Sequence, residues 1–157
     1  AQPRSRGLGD VYKRQLHYTL KNDPIFTHAC HCTLCQRYTA SAFIVHSLME
    51  TSNFTLIKGS LSETVGPSGS GKGHVIKRCP NCGDQIYSHF MGLNNLLVLK
   101  TTTLSNADEL PPQAHVFLDS KLEWLKLSDD IPKFDKFYRR EEIYSDYSLK
   151  RMKIALQ

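Results

Sequence analysis

Five cysteines fall in two groups, Cys30-His31-Cys32-Thr33-Leu34-Cys35 and Cys79-Pro80-Asn81-Cys82-Gly83. Thiolates spaced C-x-C-x-x-C can reach one soft metal ion from a single stretch of chain. Three protein ligands leave a tetrahedral zinc one open position, the arrangement of a catalytic rather than a closed site. The C-x-x-C pair supplies half of a second site, and the Gly after it suits a turn that needs positive φ. Spacing leaves two assignments open. Cys30, Cys32 and Cys35 could share one zinc, with Cys30 and Cys32 converging from an extended segment and Cys35 arriving through a turn. Alternatively, Cys32 and Cys35 could join Cys79 and Cys82 in a closed four-cysteine ribbon, with no chemistry. His31 should point away from its flanking cysteines, and His28 and His74 read as core or surface residues rather than ligands. No G-x-S-x-G occurs and no cysteine follows Cys82, so no other nucleophile stands out.

These groups must be positioned by short elements. Alternating or apolar runs predict strands at Leu16–Leu20, 42–47, Phe54–Lys58, 74–79, Gln85–Phe90, 96–102 and 114–118. Turn residues separate them at Asn22-Asp23-Pro24, Gly59-Ser60, residues 66–73, Pro80 to Gly83 and Pro111-Pro112. Short strands at close spacing predict a mainly β domain. Gly66-Pro67-Ser68-Gly69-Ser70-Gly71-Lys72-Gly73 superficially matches a phosphate-binding loop. Gly73 stands where Ser or Thr would hold magnesium, and no helical pattern follows, so a flexible hairpin loop is the reading. After Ser145, Leu149, Met152 and Leu156 recur at helical spacing, which predicts a surface or partly frayed amphipathic helix.

Size and composition bound the rest. The chain has 157 residues, 40% hydrophobic and 22% charged, as a single globular domain should. No apolar run approaches the ~20 residues that span a bilayer, and no secretory signal is seen. Clustered cysteines without a signal read as metal ligands in a reducing compartment, and the cytoplasm is the expected location. The net charge of +5 sits at the ends: +3 over residues 1–15, +3 over 133–157 and −1 between. A basic face on the core is therefore not indicated, and nucleic acid and membrane are not expected partners. Residues 1–15 lack periodicity and read as a non-native leader; 16–134 read as the functional domain and 135–157 as a basic tail with helical character.

The order of features resembles a known family. Cys30-His31-Cys32-x-x-Cys35-x-Arg37 with Ala40-Ser41-Ala42-Phe43 is similar to the C-H-C-x-x-C-R-x-x-x-G-S-x-F block of the glutathione-dependent formaldehyde-activating enzymes. These are also called the centromere protein V/formaldehyde-activating family. The likeness continues through Phe54, Gly59 and Cys79-Pro80-Asn81-Cys82-Gly83. It ends with His115-Val116-Phe117-x-x-Ser120-Lys121-x-x-Trp124 and Leu127-x-Asp129-Asp130-x-Pro132-x-Phe134. The resemblance implies zinc-stapled antiparallel sheets of the β-tent type with few short helices. It implies an open zinc site at Cys30, Cys32 and Cys35, and a structural site at Cys79 and Cys82 completed by an N-terminal C-x-C. Here residues 9–15 contain no cysteine, so the second site is expected to be incomplete, through replacement of the native N-terminal segment.

The implied activity is that of a zinc-dependent carbon–sulfur lyase acting on adducts of glutathione or another small thiol, such as S-hydroxymethylglutathione. The cysteines would hold metal rather than attack, and Arg37 and Lys121 are candidates for substrate carboxylates. The alternative is a non-enzymatic zinc module that mediates protein interaction. Methionine sulfoxide reduction of the B type fits poorly, because it needs a redox cysteine late in the fold.

Overall fold

Residues 7–11 and 15–157 are described by a computed structural model, and most regular structure in them is β. Among the described residues ten strands run in chain order. They are β1 (Leu8–Val11), β2 (Leu16–Leu20), β3 (Phe26–Cys30), β4 (Ile44–Glu50), β5 (Phe54–Lys58), β6 (Ser62–Gly66), β7 (His74–Arg78), β8 (Gln85–Phe90), β9 (Leu96–Lys100) and β10 (His115–Val116). Three α-helices are few and short: α1 (Thr33–Thr39), α2 (Arg140–Ile143) and α3 (Asp146–Ala155). A three-stranded sheet has the order β1-β2-β5, and a seven-stranded sheet has the order β10-β3-β4-β9-β8-β7-β6. All pairings are antiparallel except β10 on β3. The expected mainly β class with two sheets and few short helices is what the chain adopts.

The large sheet is covered on both faces, which explains the unbroken apolar run Leu96-Leu97-Val98-Leu99. Leu97 and Leu99 join Leu16, Tyr18 and Leu20 of the small sheet, with Met49, Ile86 and Cys79. Leu96 and Val98 face a second core of Phe26, Cys30, Ile44, Leu48 and Val116 with Tyr138, Tyr144 and Met152. Strand β2 shows the cleanest alternation, with Leu16, Tyr18 and Leu20 buried. Tyr18 also stacks on Phe54 at 4.7 Å and is hydrogen-bonded to Thr103 at 2.6 Å. Its ring lies against Gly9, where a Cβ would come within 1.8 Å of it.

Several elements differ from the sequence expectation. Strand β3 was not anticipated, because Phe26-Thr27-His28-Ala29-Cys30 does not alternate; all five residues are buried. Its polar members are satisfied inside the protein. The Thr27 hydroxyl meets that of Ser47 (3.0 Å), which meets that of Thr101 (2.8 Å), and His28 Nδ1 is hydrogen-bonded to the Tyr138 hydroxyl at 2.8 Å. Strands β1 and β6 were also missed. β1 lies inside residues 1–15 and pairs with β2 from Leu8↔Thr19 to Val11↔Leu16; residues 1–6 and 12–14 of that segment lie outside the described residues. Residues 67–73 form the connection of the β6–β7 hairpin.

Helix α3 is packed rather than frayed. Met152 and Ala155 are buried in the second core, with Leu149 and Leu156 beside them. Ser145 caps its start by accepting from the Ser148 N–H, as Ser at N-cap positions does. Arg151 locks the helix to the end of β4: its Nε and Nη2 donate to the two Glu50 carboxylate oxygens at 2.7 and 2.6 Å, and Nη1 donates to the Asp23 carbonyl at 2.9 Å. Burial alone would raise the Glu50 pKa, but the Arg151 bonds outweigh it and the carboxyl is held below its ordinary value.

Candidate metal centre

Strand β3 ends at Cys30, and the chain turns at once into α1. Cys32 is the N-cap residue of that helix, and its sulfur accepts the Cys35 N–H at 3.4 Å. An extended residue, a cap residue and a first-turn residue therefore aim their side chains at one point. The Sγ atoms of Cys30, Cys32 and Cys35 all lie within 4.8 Å of one another. Sulfurs around tetrahedral zinc sit about 3.8 Å apart, given zinc–sulfur bonds of about 2.3 Å. A contraction of under about 1 Å would therefore complete three corners, and the donor set fits the ion.

The cluster is electrostatically prepared for a cation. Hydrogen bonds from the Cys30 and Cys35 thiols stabilise the Cys32 thiolate, with added help from the backbone N–H groups of Cys35 and Leu34, so its pKa falls to about 2. Cys30 is pushed well up by its bonds to Cys32 and Cys35 and by burial. At Cys35 the bond from Cys30 pulls down, but Cys32 and burial win and the pKa rises to about 12. The three sulfurs thus share protons, with the Cys32 thiolate the favoured one. A divalent ion would replace the two shared protons.

His31 points away, as expected between two convergent cysteines. It is fully buried, with Nε2 3.0 Å from His115 Nδ1, and burial followed by the charges of His115 and Lys121 lowers its pKa to about 4. Gln36 ties α1 in place by donating Nε2 to the carbonyls of His31 (2.8 Å) and Ser120 (2.9 Å). His28 belongs to the β3 core, and burial lowers its pKa to about 4. His74 stacks on Phe90 at 4.0 Å and is lowered to about 4, chiefly by burial.

Cys79 and Cys82 lie elsewhere. Cys79 is buried in the first core, against the small sheet, and Cys82 is exposed. Their turn closes through Cys79 N–H to the Asp84 carbonyl and Gly83 N–H to the Cys79 carbonyl, both at 2.9 Å, with Gly83 at φ 79°. Among the described residues no third metal-ligating side chain joins them, and the closed ribbon of Cys32, Cys35, Cys79 and Cys82 is not formed.

Of the two charged candidates, Lys121 is occupied, donating Nζ to the carbonyls of Leu122 and Leu125 at 2.9 Å each. Arg37 lines a shallow cavity of about 570 Å³ with Ala42 and Trp124. Sequence reasoning missed the residue beside the sulfurs. Lys100, at the end of β9, is only 7% exposed, and its Nζ lies 3.2 Å from His46 Nε2. Burial lowers its pKa to about 8, against the upward pull of Cys35 and Cys30. The available signal was a lysine closing the apolar strand Leu96-Leu97-Val98-Leu99-Lys100.

Fold and site together define a two-sheet β protein with a three-thiolate centre able to hold a metal ion. The model of the glutathione-dependent formaldehyde-activating enzyme family matches residues 12–120, and the chain belongs to that family. No curated protein matches it. Among solved structures, a crystal structure of a Rhodobacter sphaeroides protein is similar at 13% identity, with a TM-score of 0.47, covering 81% of this chain and 98% of the other. No helix among the described residues is long and apolar enough to cross a membrane.

Proposed function

We propose that this chain is a zinc-dependent carbon–sulfur lyase acting on hydroxymethyl adducts of a small thiol, with glutathione as the leading thiol. The observation that carries the reading is the convergence of the Cys30, Cys32 and Cys35 sulfurs within 4.8 Å, in a chain of this family. Zinc held there would bind the substrate sulfur at the open corner and favour its thiolate form. Cys79 and Cys82 are proposed as a second, incomplete zinc site with a structural role.

The chain's own residues orient and balance charge. Three thiolates around a divalent ion leave one negative charge, and the Lys100 ammonium supplies a nearby positive one. His46 accepts from Lys100, and its imidazole is kept neutral by burial and by the Lys100 charge. In the cleaving direction the adduct's hydroxyl gives its proton to water, the C=O bond of formaldehyde forms, and the C–S pair leaves with sulfur as thiolate. The reverse reaction adds thiolate to the carbonyl carbon and returns a proton to oxygen. Three cysteines engaged as ligands are not free to act as nucleophiles.

Cobalt substitution tests this reading. Glutathione should shift the thiolate-to-cobalt absorption, and the protein should accelerate exchange between free and glutathione-bound formaldehyde as followed by NMR. A cobalt spectrum of four closed thiolates that ignores glutathione would refute it and favour the non-enzymatic zinc module.

A further inference from the structure

A cleft of about 410 Å³ opens beside the sulfur cluster. One wall comes from α1, the helix that carries Cys35, and the others from strands that pair around the cluster. Tyr38 and Thr39 follow Cys35 on α1, and the Thr39 hydroxyl donates to the Cys35 carbonyl at 2.8 Å. Ile44 is the register partner of Cys30, and Lys100 that of His46. The opposite side is built by Arg78 and Gln85, which pair with each other across β7 and β8.

This cleft collects hydrogen-bond donors that the protein itself does not use. An ammonium has three N–H donors, yet the buried Lys100 meets only His46. Both amide atoms of Gln85 are buried with no hydrogen-bond partner. Arg78 spends Nε on Thr64 (3.1 Å) and Nη1 on the Gly83 carbonyl (3.1 Å), leaving Nη2. Neither cation meets a carboxylate among the described residues, and the Arg78 charge bears on Lys100 unfavourably. Asp84, the one acid on the lining, is exposed, and its charge falls on Cys82. Arg78 has no anionic partner among the described residues, and with the partly sulfur-balanced Lys100 on the same lining it leaves the cleft suited to an anion.

The arrangement of Arg78 is built rather than incidental. The β7–β8 pairing shifts register between Lys77 and Arg78, a local irregularity of the kind that re-aims a side chain. The carbonyl that holds its guanidinium belongs to Gly83, directly after the Cys79–Cys82 turn. The turn that carries the second cysteine pair therefore also orients the cleft's cation.

We propose that this cleft is the subsite for a carboxylate of the thiol substrate, with Arg78 and Lys100 supplying the charge and the Gln85 amide the neutral donor. The inference rests on the lyase reading for the identity of its ligand. The thiol served is one that bears an acidic arm, and small neutral thiols are poor substrates. Arg37 and Lys121 are then not the main carboxylate partners.

S-methylglutathione is the probe, because it keeps both carboxylates but offers no thiol to a metal. Its binding to the zinc-loaded protein, measured by NMR line broadening or calorimetry, should weaken about ten-fold or more in Arg78→Gln, the loss of a charge-assisted hydrogen bond. Arg78→Lys should restore part of the affinity, and Gln85→Leu should weaken binding without removing charge. The dimethyl ester of S-methylglutathione should bind wild type no better than the free acid binds Arg78→Gln. Equal binding of acid and ester, equal binding by wild type and Arg78→Gln, or binding abolished by millimolar phosphate but untouched by carboxylate analogues would each overturn the proposal. If cobalt spectra ignore glutathione while S-methylglutathione still binds through Arg78, the lyase reading falls and the cleft stands. If glutathione shifts the cobalt spectrum with the same midpoint in wild type and Arg78→Gln, the cleft assignment falls and the lyase reading stands.

Discussion

Replacing Arg151 by Met tests whether the C-terminal helix is integral to the fold. The guanidinium makes three hydrogen bonds, two of them to Glu50, and the side chains are only 11% and 19% exposed. Removing one partner of a fully buried pair costs about 3–5 kcal/mol, most of it from the charge left behind. Glu50 keeps some access to water, so we place the loss at about 2–3 kcal/mol. Methionine preserves most of the apolar stem, so the loss reports chiefly the polar contacts. At about 2–4 °C per kcal/mol for a chain of this size, the melting temperature should fall by roughly 4–12 °C. Urea unfolding of wild type, Arg151→Met, Glu50→Gln and the double variant completes a thermodynamic cycle. The double variant should be more stable than Arg151→Met alone, with a coupling of at least about 1 kcal/mol. A single-variant loss under about 0.5 kcal/mol, with no coupling, would show that the Arg151–Glu50 pair does not anchor α3 and that its apolar contacts alone hold it.

Two further outcomes are expected. His28 is buried with a pKa of about 4, below its unfolded value of about 6.5, so the unfolded chain binds the extra proton between those values. Stability is therefore complete above pH 6.5 and is lost as pH falls toward 4, by about 2 kcal/mol at pH 5 from this residue alone. His31 and His74, lowered in the same direction, add with the same sign. Urea midpoints of the metal-free protein at pH 7.5 and 5 check this, and a flat profile would contradict it. For the second cysteine pair, placing a C-x-C within residues 9–15 should raise the melting temperature of the zinc-loaded protein by several degrees. The gain should vanish with a chelator; no gain on restoration refutes the idea that this site lacks half its ligands.

Much of the site was legible because metal ligation constrains residue type and spacing within a few positions. C-x-C-x-x-C showed that three sulfurs could converge, two from an extended segment and one through a turn; the strand end and the helix cap that carry them came from the structure. The outward direction of His31 followed from the same extended geometry. Strand β3 was not legible, since its burial of Thr27 and His28 depends on Ser47, Thr101 and Tyr138, residues 20 to 110 positions away. The same holds for α3, whose packing depends on Glu50 and Asp23, 101 and 128 positions distant.

The sequence by itself determined the donor set, its soft-metal chemistry, the β class and the family resemblance that the match to residues 12–120 bears out. Those properties are local: they depend on residue identity, short spacing and alternation. Only the tertiary structure decided that the cysteines divide three and two rather than forming one ribbon, because that division depends on which core each group enters. Only it brought Lys100, Arg78 and Gln85 to the side of the sulfurs. Register across β4, β9, β8 and β7 sets that convergence, and no local pattern encodes the register of strands so far apart in the chain.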